Sequence, residues 1–435
     1  MASARPRDPD SYLTSRPYAW LVFALTFLLM VFDFVDRQII VSMFPHLKAE
    51  WHLSDAQLGV LVSVVSVTVA LGTFPLAVLV DRWSRVKSIA LMAIVWSLAT
   101  LACGLSRNFG QLVIARSVIG LGEAGYGPAG GALLSTIFPA RLRGTIMGAF
   151  LAAASLGAVL GVMLGGLIAA RWGWQAGFGV VGVPGLILGL VFLALRDYDN
   201  VALTGPTASG SGSRAVAMVT ELFRPRSGVA AYIGGALQLL VVAAVYVWLP
   251  SYLNRAYGMP ASTAGVWAAA VVLLGSVGTI VWGFVADRAS RTRPRRKLLV
   301  PAACVVTTFV LLLIAFAFLA PGRSQFVLIG MASFLMTAAV GPVTAVAIDV
   351  VHPGLRATAA SLAALVQNLF GLAAGPFIAG VLSDVYGLQP ALSLMSVFGL
   401  LSALAFVIAA SRYEADLAGA ASIPISVEKS SPSAA

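Results

Sequence analysis

Twelve apolar runs of about twenty residues follow one another along 435 residues, separated by short charged or Pro/Gly-rich breaks. A run of that length crosses roughly 30 Å of hydrocarbon as a helix. The runs lie near 18–43, 57–80, 88–105, 110–137, 145–170, 177–195, 229–253, 264–286, 298–320, 324–350, 357–382 and 390–411. With 59% hydrophobic and only 10% charged residues, the chain has too little charge to cover a soluble protein of this length. It reads as a polytopic all-α membrane protein, and its net charge of +11 reports topology before it reports nucleic acid. The first run is too long for a signal-peptide core, so a retained first helix is expected.

Lys and Arg counts orient the bundle. With both termini cytoplasmic, 21 of the 28 basic residues fall in inside segments, 5 fall outside (Lys48, Arg107, Arg171, Arg255, Arg323), and Arg37 and Arg116 are intramembrane. That excess places both termini in the cytoplasm. The Ala/Gly/Arg-rich composition suggests a bacterial inner membrane.

The stretch 196–228 is polar and rich in Gly, Ser and Pro. It reads as a cytoplasmic linker between an N-terminal six-helix half, 1–195, and a C-terminal half, 229–411, followed by a disordered cytoplasmic tail, 412–435. The halves repeat in sequence. "AVLVDRWSR" (77–85) matches "GFVADRASR" (283–291), and "LRGT" (142–145) matches "LRAT" (355–358), at offsets of 206 and 213. Duplicated six-helix halves are the plan of one large class of secondary transporters.

Those segments carry a resemblance. Asp81-Arg82-x-Ser84-Arg85, with its second copy at Asp287-Arg288, resembles the cytoplasmic loop motif of the major facilitator superfamily, with Ala77 and Ser84 in place of the usual glycines. Arg116 followed by "VIGLGEAGYGPAGG" resembles its fourth-helix motif, and "GAVLGVMLGG" (157–166) its fifth-helix antiporter motif, with Val162 where a proline is common. Within the superfamily, "DRQIIVSMFPHLKAEWHLSDAQLG" (36–59) and "GLGEAGYGPAGGALLSTIFP" (120–139) are similar to the spinster family of lysolipid and sphingolipid transporters. The resemblance implies twelve helices in two pseudo-symmetric halves, a monomer, and an amphiphilic lipid cargo. It also implies functional charges at Asp36, Arg37 and Glu123. Asp81, Arg82, Arg85, Arg143, Asp287, Arg288, Arg291, Asp349 and Arg356 are expected to form a cytoplasmic gate that is broken and remade as the halves rock.

Asp33, Asp36, Arg37, Arg116 and Glu123 all lie at membrane depth in the N-terminal half. Such charges must face a cavity or a partner. At about 1.5 Å per residue, Asp36 and Arg37 stand roughly 27 Å above the cytoplasmic end and Glu123 roughly 21 Å, so one network is feasible. A self-neutralising cluster that merely fastens helix 1 to helix 4 is the bland alternative. The functional alternative is proton coupling, because a dry cavity disfavours an ionised carboxylate and a nearby guanidinium favours it. Asp36, Glu123 and Asp33 are the expected proton carriers. Arg37, Arg116, Tyr126, Gln238, Gln367 and Asn368 are the expected substrate or gating groups.

Helices 7 to 12 hold no charge until Asp349. One charged wall and one neutral wall suit a ligand with a charged head and an apolar tail, a lysophospholipid or sphingoid phosphate. The rival cargo is a small organic anion such as a sugar acid. A non-transporting receptor and a passive scramblase are further alternatives. An enzyme is not expected. His46, His52 and His352 read as loop residues, no Cys/His metal spacing occurs, and no nucleotide-binding loop is present. No cofactor is expected beyond the coupling proton, and no nucleic-acid partner.

Overall fold

The computed structural model describes residues 12–196, 221–352 and 355–421, with the side chains of 74, 77–82, 357 and 421 left aside. Span 1 is the α-helix Arg16–Ile39, continued by a 3₁₀ turn, Ile40–Met43, and a short helix, Phe44–Trp51. Spans 2 and 3 are Asp55–Arg82 and Arg85–Gly104. Span 4 is broken into Phe109–Glu123 and Tyr126–Ile137, and spans 5 and 6 are Ala140–Trp172 and Trp174–Leu193. Spans 7 and 8 are Arg226–Tyr257 and Ala261–Ser290, and span 9, Arg296–Leu313, closes in a π turn, Ile314–Phe318. Span 10 is broken into Arg323–Met336 and Val340–Asp349, and span 11 runs from Arg356 to Tyr386 through a π turn at Asn368–Ala373. Span 12 is Leu388–Ala421. Eleven of these are long and apolar enough to cross a membrane as they stand, and the twelfth is the broken span 4.

The duplication is visible in the backbone. The breaks in spans 4 and 10 follow Glu123 and Met336, which are 213 residues apart, the offset of the LRGT/LRAT repeat. The turns closing spans 5 and 11 are made by Gly173 (φ 82°, ψ 160°) and Gly387 (φ 84°, ψ 162°). Only glycine adopts that conformation without strain.

The glycines of 157–166 are packing surfaces. A Cβ on Gly157, Gly161 or Gly165 would stand 2.4, 2.7 or 2.3 Å from the carbonyl oxygens of Val31, Val35 and Ile39. One glycine per turn lets the backbone of span 5 lie directly on span 1, which is how small residues associate helices in lipid. Span 1 is thereby held rigidly at the depth of its charges.

The halves meet at the end of the bundle opposite the termini. Phe44 packs on Trp248 with ring centroids 5.3 Å apart. Gly59 lies against the Pro376 carbonyl, Gly166 against that of Ala261, and Ser63 Oγ donates to the Ala373 carbonyl at 2.5 Å. Near the termini, Asp416 caps span 7 by accepting from the Ser227 N–H at 2.8 Å and its hydroxyl at 2.6 Å.

Two expectations are corrected here. Residues 412–421, expected to begin a disordered tail, continue span 12 as helix, because Tyr413 and Asp416 are bonded to Asp349 and Ser227; 422–435 lie outside the described residues, as do 197–220 of the linker. His46, expected in a loop, lies inside the helix Phe44–Trp51, which Pro45 opens and the left-handed His52 (φ 52°) closes.

Candidate functional site

Asp33, Asp36 and Arg37 occupy the last two turns of the α-helix in span 1. Arg37 Nε lies 2.8 Å from Glu123 Oε2 across the span 1–span 4 contact, and its Nη2 lies 3.5 Å from Asp33 Oδ1. The Arg37–Glu123 contact is an ion pair across the two spans. Asp33, Asp36 and Glu123 are all buried, whereas the Arg37 side chain retains 20% exposure and lies over the Phe34 ring, 5.2 Å from its centroid. Arg37 is therefore the partly exposed member of the cluster.

Asp36 Oδ2 accepts from the Thr100 hydroxyl at 2.5 Å, and its Oδ1 has no partner; neither does Glu123 Oε1. Among the described residues these buried carboxylate oxygens are therefore left without hydrogen-bond partners, which is uncommon for buried polar groups.

Arg116 has a different place. It is fully buried, and its guanidinium donates to the carbonyls of Leu61 (3.1 Å), Asp36 (3.1 Å) and Arg37 (3.4 Å). Span 1 tightens into its 3₁₀ turn just beyond, where the last α-helical carbonyls lose their ordinary donors. Arg116 supplies donors there and ties spans 1, 2 and 4 together, with its positive charge held next to Asp36. Tyr126, also buried, donates to the Thr26 carbonyl at 2.5 Å. Gly122 brings span 4 onto span 3: a Cβ there would stand 3.0 Å from the Trp96 nitrogen. Glu123 ends the first half of span 4, so the break places it against span 1.

In the C-terminal half, Gln238 is buried and donates from Nε2 to the Met336 carbonyl at 2.7 Å, while its Oε1 has no partner. Gln238 and Gln367 line one small cavity with Leu239, Val242 and Val340. Asn368 is half-buried and donates to the Ala364 carbonyl of its own helix at 2.8 Å. Met336 occupies the repeat position of Glu123. Where the N-terminal half sets a carboxylate at its break, the C-terminal half sets an apolar residue served by a neutral amide.

Of the expected gate residues, Arg143, Asp287, Arg288, Arg291 and Arg356 are exposed, and Asp349 binds within its own half, to Lys297 Nζ (2.9 Å) and the Tyr413 hydroxyl (2.8 Å). Arg85 reaches Thr136 of its own half at 3.4 Å. The side chains of Asp81 and Arg82 lie outside the described residues.

Sequence reasoning missed a polar hub at the opposite end. Arg255 grips Asp55 through two bonds, Nη1 to Oδ2 at 2.6 Å and Nη2 to Oδ1 at 2.8 Å. Lys48 Nζ and the Ser383 hydroxyl each approach Asp55 to 2.5 Å. Asp384 accepts from the backbone N–H groups of Asp55 and Ala56 at 2.7 and 2.8 Å, capping span 2 from span 11. The available signal was the scarcity of charge outside: Lys48 and Arg255 are two of only five outside cations, and Asp55 and Asp384 stand at the same end.

A twelve-span bundle of two repeated halves, with intramembrane charges confined to one of them, defines a secondary transporter. The chain belongs to the Major Facilitator Superfamily, whose sequence profile matches residues 26–375. It is 29% identical to the probable L-galactonate transporter of Escherichia coli (strain K12) over 60% of each chain. It is 27% identical to the gallate transporter of Pseudomonas putida over 92% of this chain and 95% of that one. Its fold is that of a bacterial homologue of the human lysosomal transporter Spinster, crystallised inward-facing and unoccupied, with a TM-score of 0.82 and 22% identity over 93% of this chain and 99% of that one.

Proposed function

We propose that this protein is a proton-coupled carrier of an organic anion, working by alternating access, with Arg37 as the anion's partner and Glu123 and Asp36 as the proton carriers. The single observation that carries this reading is the Arg37–Glu123 ion pair, 2.8 Å long, whose cation is the partly exposed member of a buried cluster. A substrate anion and an ionised Glu123 compete for one guanidinium. Protonating Glu123 releases Arg37 for the substrate, and substrate departure returns Arg37 to Glu123. The charge count supports the coupling. Three carboxylates face two guanidiniums, so the cluster carries one net negative charge when fully ionised, and one proton neutralises it. An uncompensated charge at this depth is costly.

Arg116, consumed by three carbonyls, serves as the bolt that keeps span 1 in register, and Asp33 as the second anchor of Arg37. With both termini cytoplasmic, the closed end of the bundle is the outer one, and the exposed Asp287, Arg288 and Arg291 of the second loop motif belong to an open cytoplasmic side.

The relatives named for galactonate and gallate favour a small hydroxylated or aromatic acid, with Gln238 and Gln367 as the neutral side of the site. An amphiphile with an anionic head is the second reading, favoured by the charge-free membrane stretches of the C-terminal half. The deciding experiment is thermal stabilisation of the purified protein by a sugar-acid and aromatic-acid series beside a lysophospholipid series, followed by uptake into proteoliposomes under a pH gradient. Stabilisation by acids alone supports the first reading, and a chain-length-dependent shift with lysolipids alone supports the second. Normal gradient-driven uptake by Asp36→Asn and Glu123→Gln would end the proton-coupled reading.

A further inference from the structure

Thr100 sits on span 3, is 1% exposed, and is offered two acceptors: Asp36 Oδ2 at 2.5 Å and the carbonyl of Trp96, one turn earlier in its own helix, at 2.9 Å. A hydroxyl has one hydrogen to donate, with lone pairs left to accept. Thr26, Thr279 and Thr308 spend that hydrogen on the carbonyl four residues back, and Thr68 and Thr73, which are offered two acceptors, choose between backbone carbonyls that never change charge. At Thr100 the two acceptors make two complete patterns. With Asp36 ionised, Thr100 donates to Oδ2. With a proton on Oδ2, that proton is donated to Thr100 Oγ1, and the threonine hydrogen turns to the Trp96 carbonyl. The proton stays on Asp36 throughout, and no bond to carbon or oxygen changes besides the O–H gained.

We propose that Thr100 is a positioning residue for proton coupling: by reversing the direction of its hydrogen bond it keeps Asp36 Oδ2 satisfied in both protonation states. This rests on the proton-coupled reading above. Asp36 is faced by Asp33 and Arg37 on its own span, by Arg116 and Glu123 on span 4, and by Thr100 and the Cys103 thiol on span 3. Of these, the threonine hydroxyl is the one neutral group hydrogen-bonded to an Asp36 carboxylate oxygen among the described residues. The contact is braced from behind, since the Trp96 turn that carries the second acceptor packs on Gly122, next to Glu123.

The test is infrared difference spectroscopy of the purified full-length protein between acid and alkaline pH, which needs no substrate. The Asp36 carboxylic band is assigned by its loss in Asp36→Asn. In wild type the band frequency is expected to be that of a hydrogen-bonded carboxylic acid. In Thr100→Val the ionised form loses a charge-assisted bond and the protonated form a weaker neutral one. The pH of half-development therefore rises by about one unit, and the band moves to the frequency of a free acid. Thr100→Ser keeps the wild-type values. A titration and frequency unchanged in Thr100→Val would overturn the role of Thr100 alone. A free-acid frequency in wild type would overturn it without any variant. Absence of an Asp36 band at every pH would remove the proton-carrying role of Asp36, and this inference with it.

Discussion

The guanidinium of Arg255, at the end of span 7, grips the carboxylate of Asp55, at the start of span 2, through two bonds of 2.6 and 2.8 Å, and so ties the C-terminal half to the N-terminal one. Bidentate pairs of this kind are among the strongest side-chain contacts. Removing Asp55 leaves Lys48 and Arg255 converging on an empty centre. Asp55→Asn is expected to weaken closure of this end by about 2–3 kcal/mol, because Arg255 is partly exposed and the full cost of a buried pair does not apply. The check is labelling of a cysteine at Ala261, beside Gly166, by an impermeant thiol reagent in a background free of Cys103 and Cys304. Labelling should accelerate at least tenfold in Asp55→Asn and recover in part when Asp55→Arg is combined with Arg255→Asp. Equal rates in the parent, Asp55→Asn and the charge-swapped protein would rule the pair out as a latch.

Glu123→Gln keeps the shape of the side chain and removes its charge. Arg37 then keeps only Asp33, 3.5 Å away, and is free for an anion at every pH. Exchange of substrate across the membrane is expected to persist, with tighter binding by about tenfold, while accumulation driven by a pH gradient falls to the level seen without one. Counterflow and gradient-driven uptake, measured in the same proteoliposomes, separate the two. Loss of both would mean that the variant had damaged the carrier rather than its coupling.

The glycines of span 5 give a stability prediction with an internal control. Gly161→Ala forces a methyl to within 2.7 Å of the Val35 carbonyl, a backbone atom that can yield only if span 1 moves. Overpacking of this kind costs about 1–3 kcal/mol, and Gly161→Leu is expected not to yield folded protein. Gly148, in the same helix, has open space where its Cβ would be, so Gly148→Ala should be neutral or stabilise by up to about 1 kcal/mol through helix propensity. Melting temperatures in one detergent decide it, and a similar drop in both alanine variants would refute the packing account.

Much of this architecture was legible before any coordinate. Runs of apolar residues gave twelve spans, and the repeats DRxSR and LRxT gave two halves. Asp33, Asp36, Arg37 and Glu123 could be brought to one depth by counting helical rise. What stayed hidden depends on direction and backbone. Arg116 was expected to be a gating or substrate group because a charge at depth needs a partner; the partners it has are carbonyls of Leu61, Asp36 and Arg37, and carbonyls carry no sequence signal. Thr100 looked like any threonine in an apolar helix. The glycines of 157–166 suggested a transport motif, and their spacing of four was equally a packing signature. The Asp55–Arg255 pair spans 200 residues, a distance that pattern reading along the chain does not bridge.

Gln238 distinguishes the two cargo readings. Its Nε2 serves the Met336 carbonyl at the break in span 10, and its Oε1, buried and unpartnered, is an acceptor beside Gln367. A small hydroxylated acid has hydroxyls to donate to that oxygen, whereas an apolar tail has nothing to offer it. Gln238→Met keeps the length and packing of the side chain and removes both polar atoms. The Met336 carbonyl loses its donor, a cost of about 1 kcal/mol that should lower the melting temperature by a few degrees at most. If the cargo is a small acid, the concentration of galactonate or gallate needed to stabilise the variant should rise at least tenfold, since a polar group of the ligand is left unpaired. If the cargo is an amphiphile, the lysophospholipid requirement should stay within about twofold or fall, because the wall has become more apolar. A tenfold loss confined to acids would fix the neutral wall as part of a small-acid site. Unchanged acid binding would remove Gln238 from that site and leave its amide as a brace for the break in span 10.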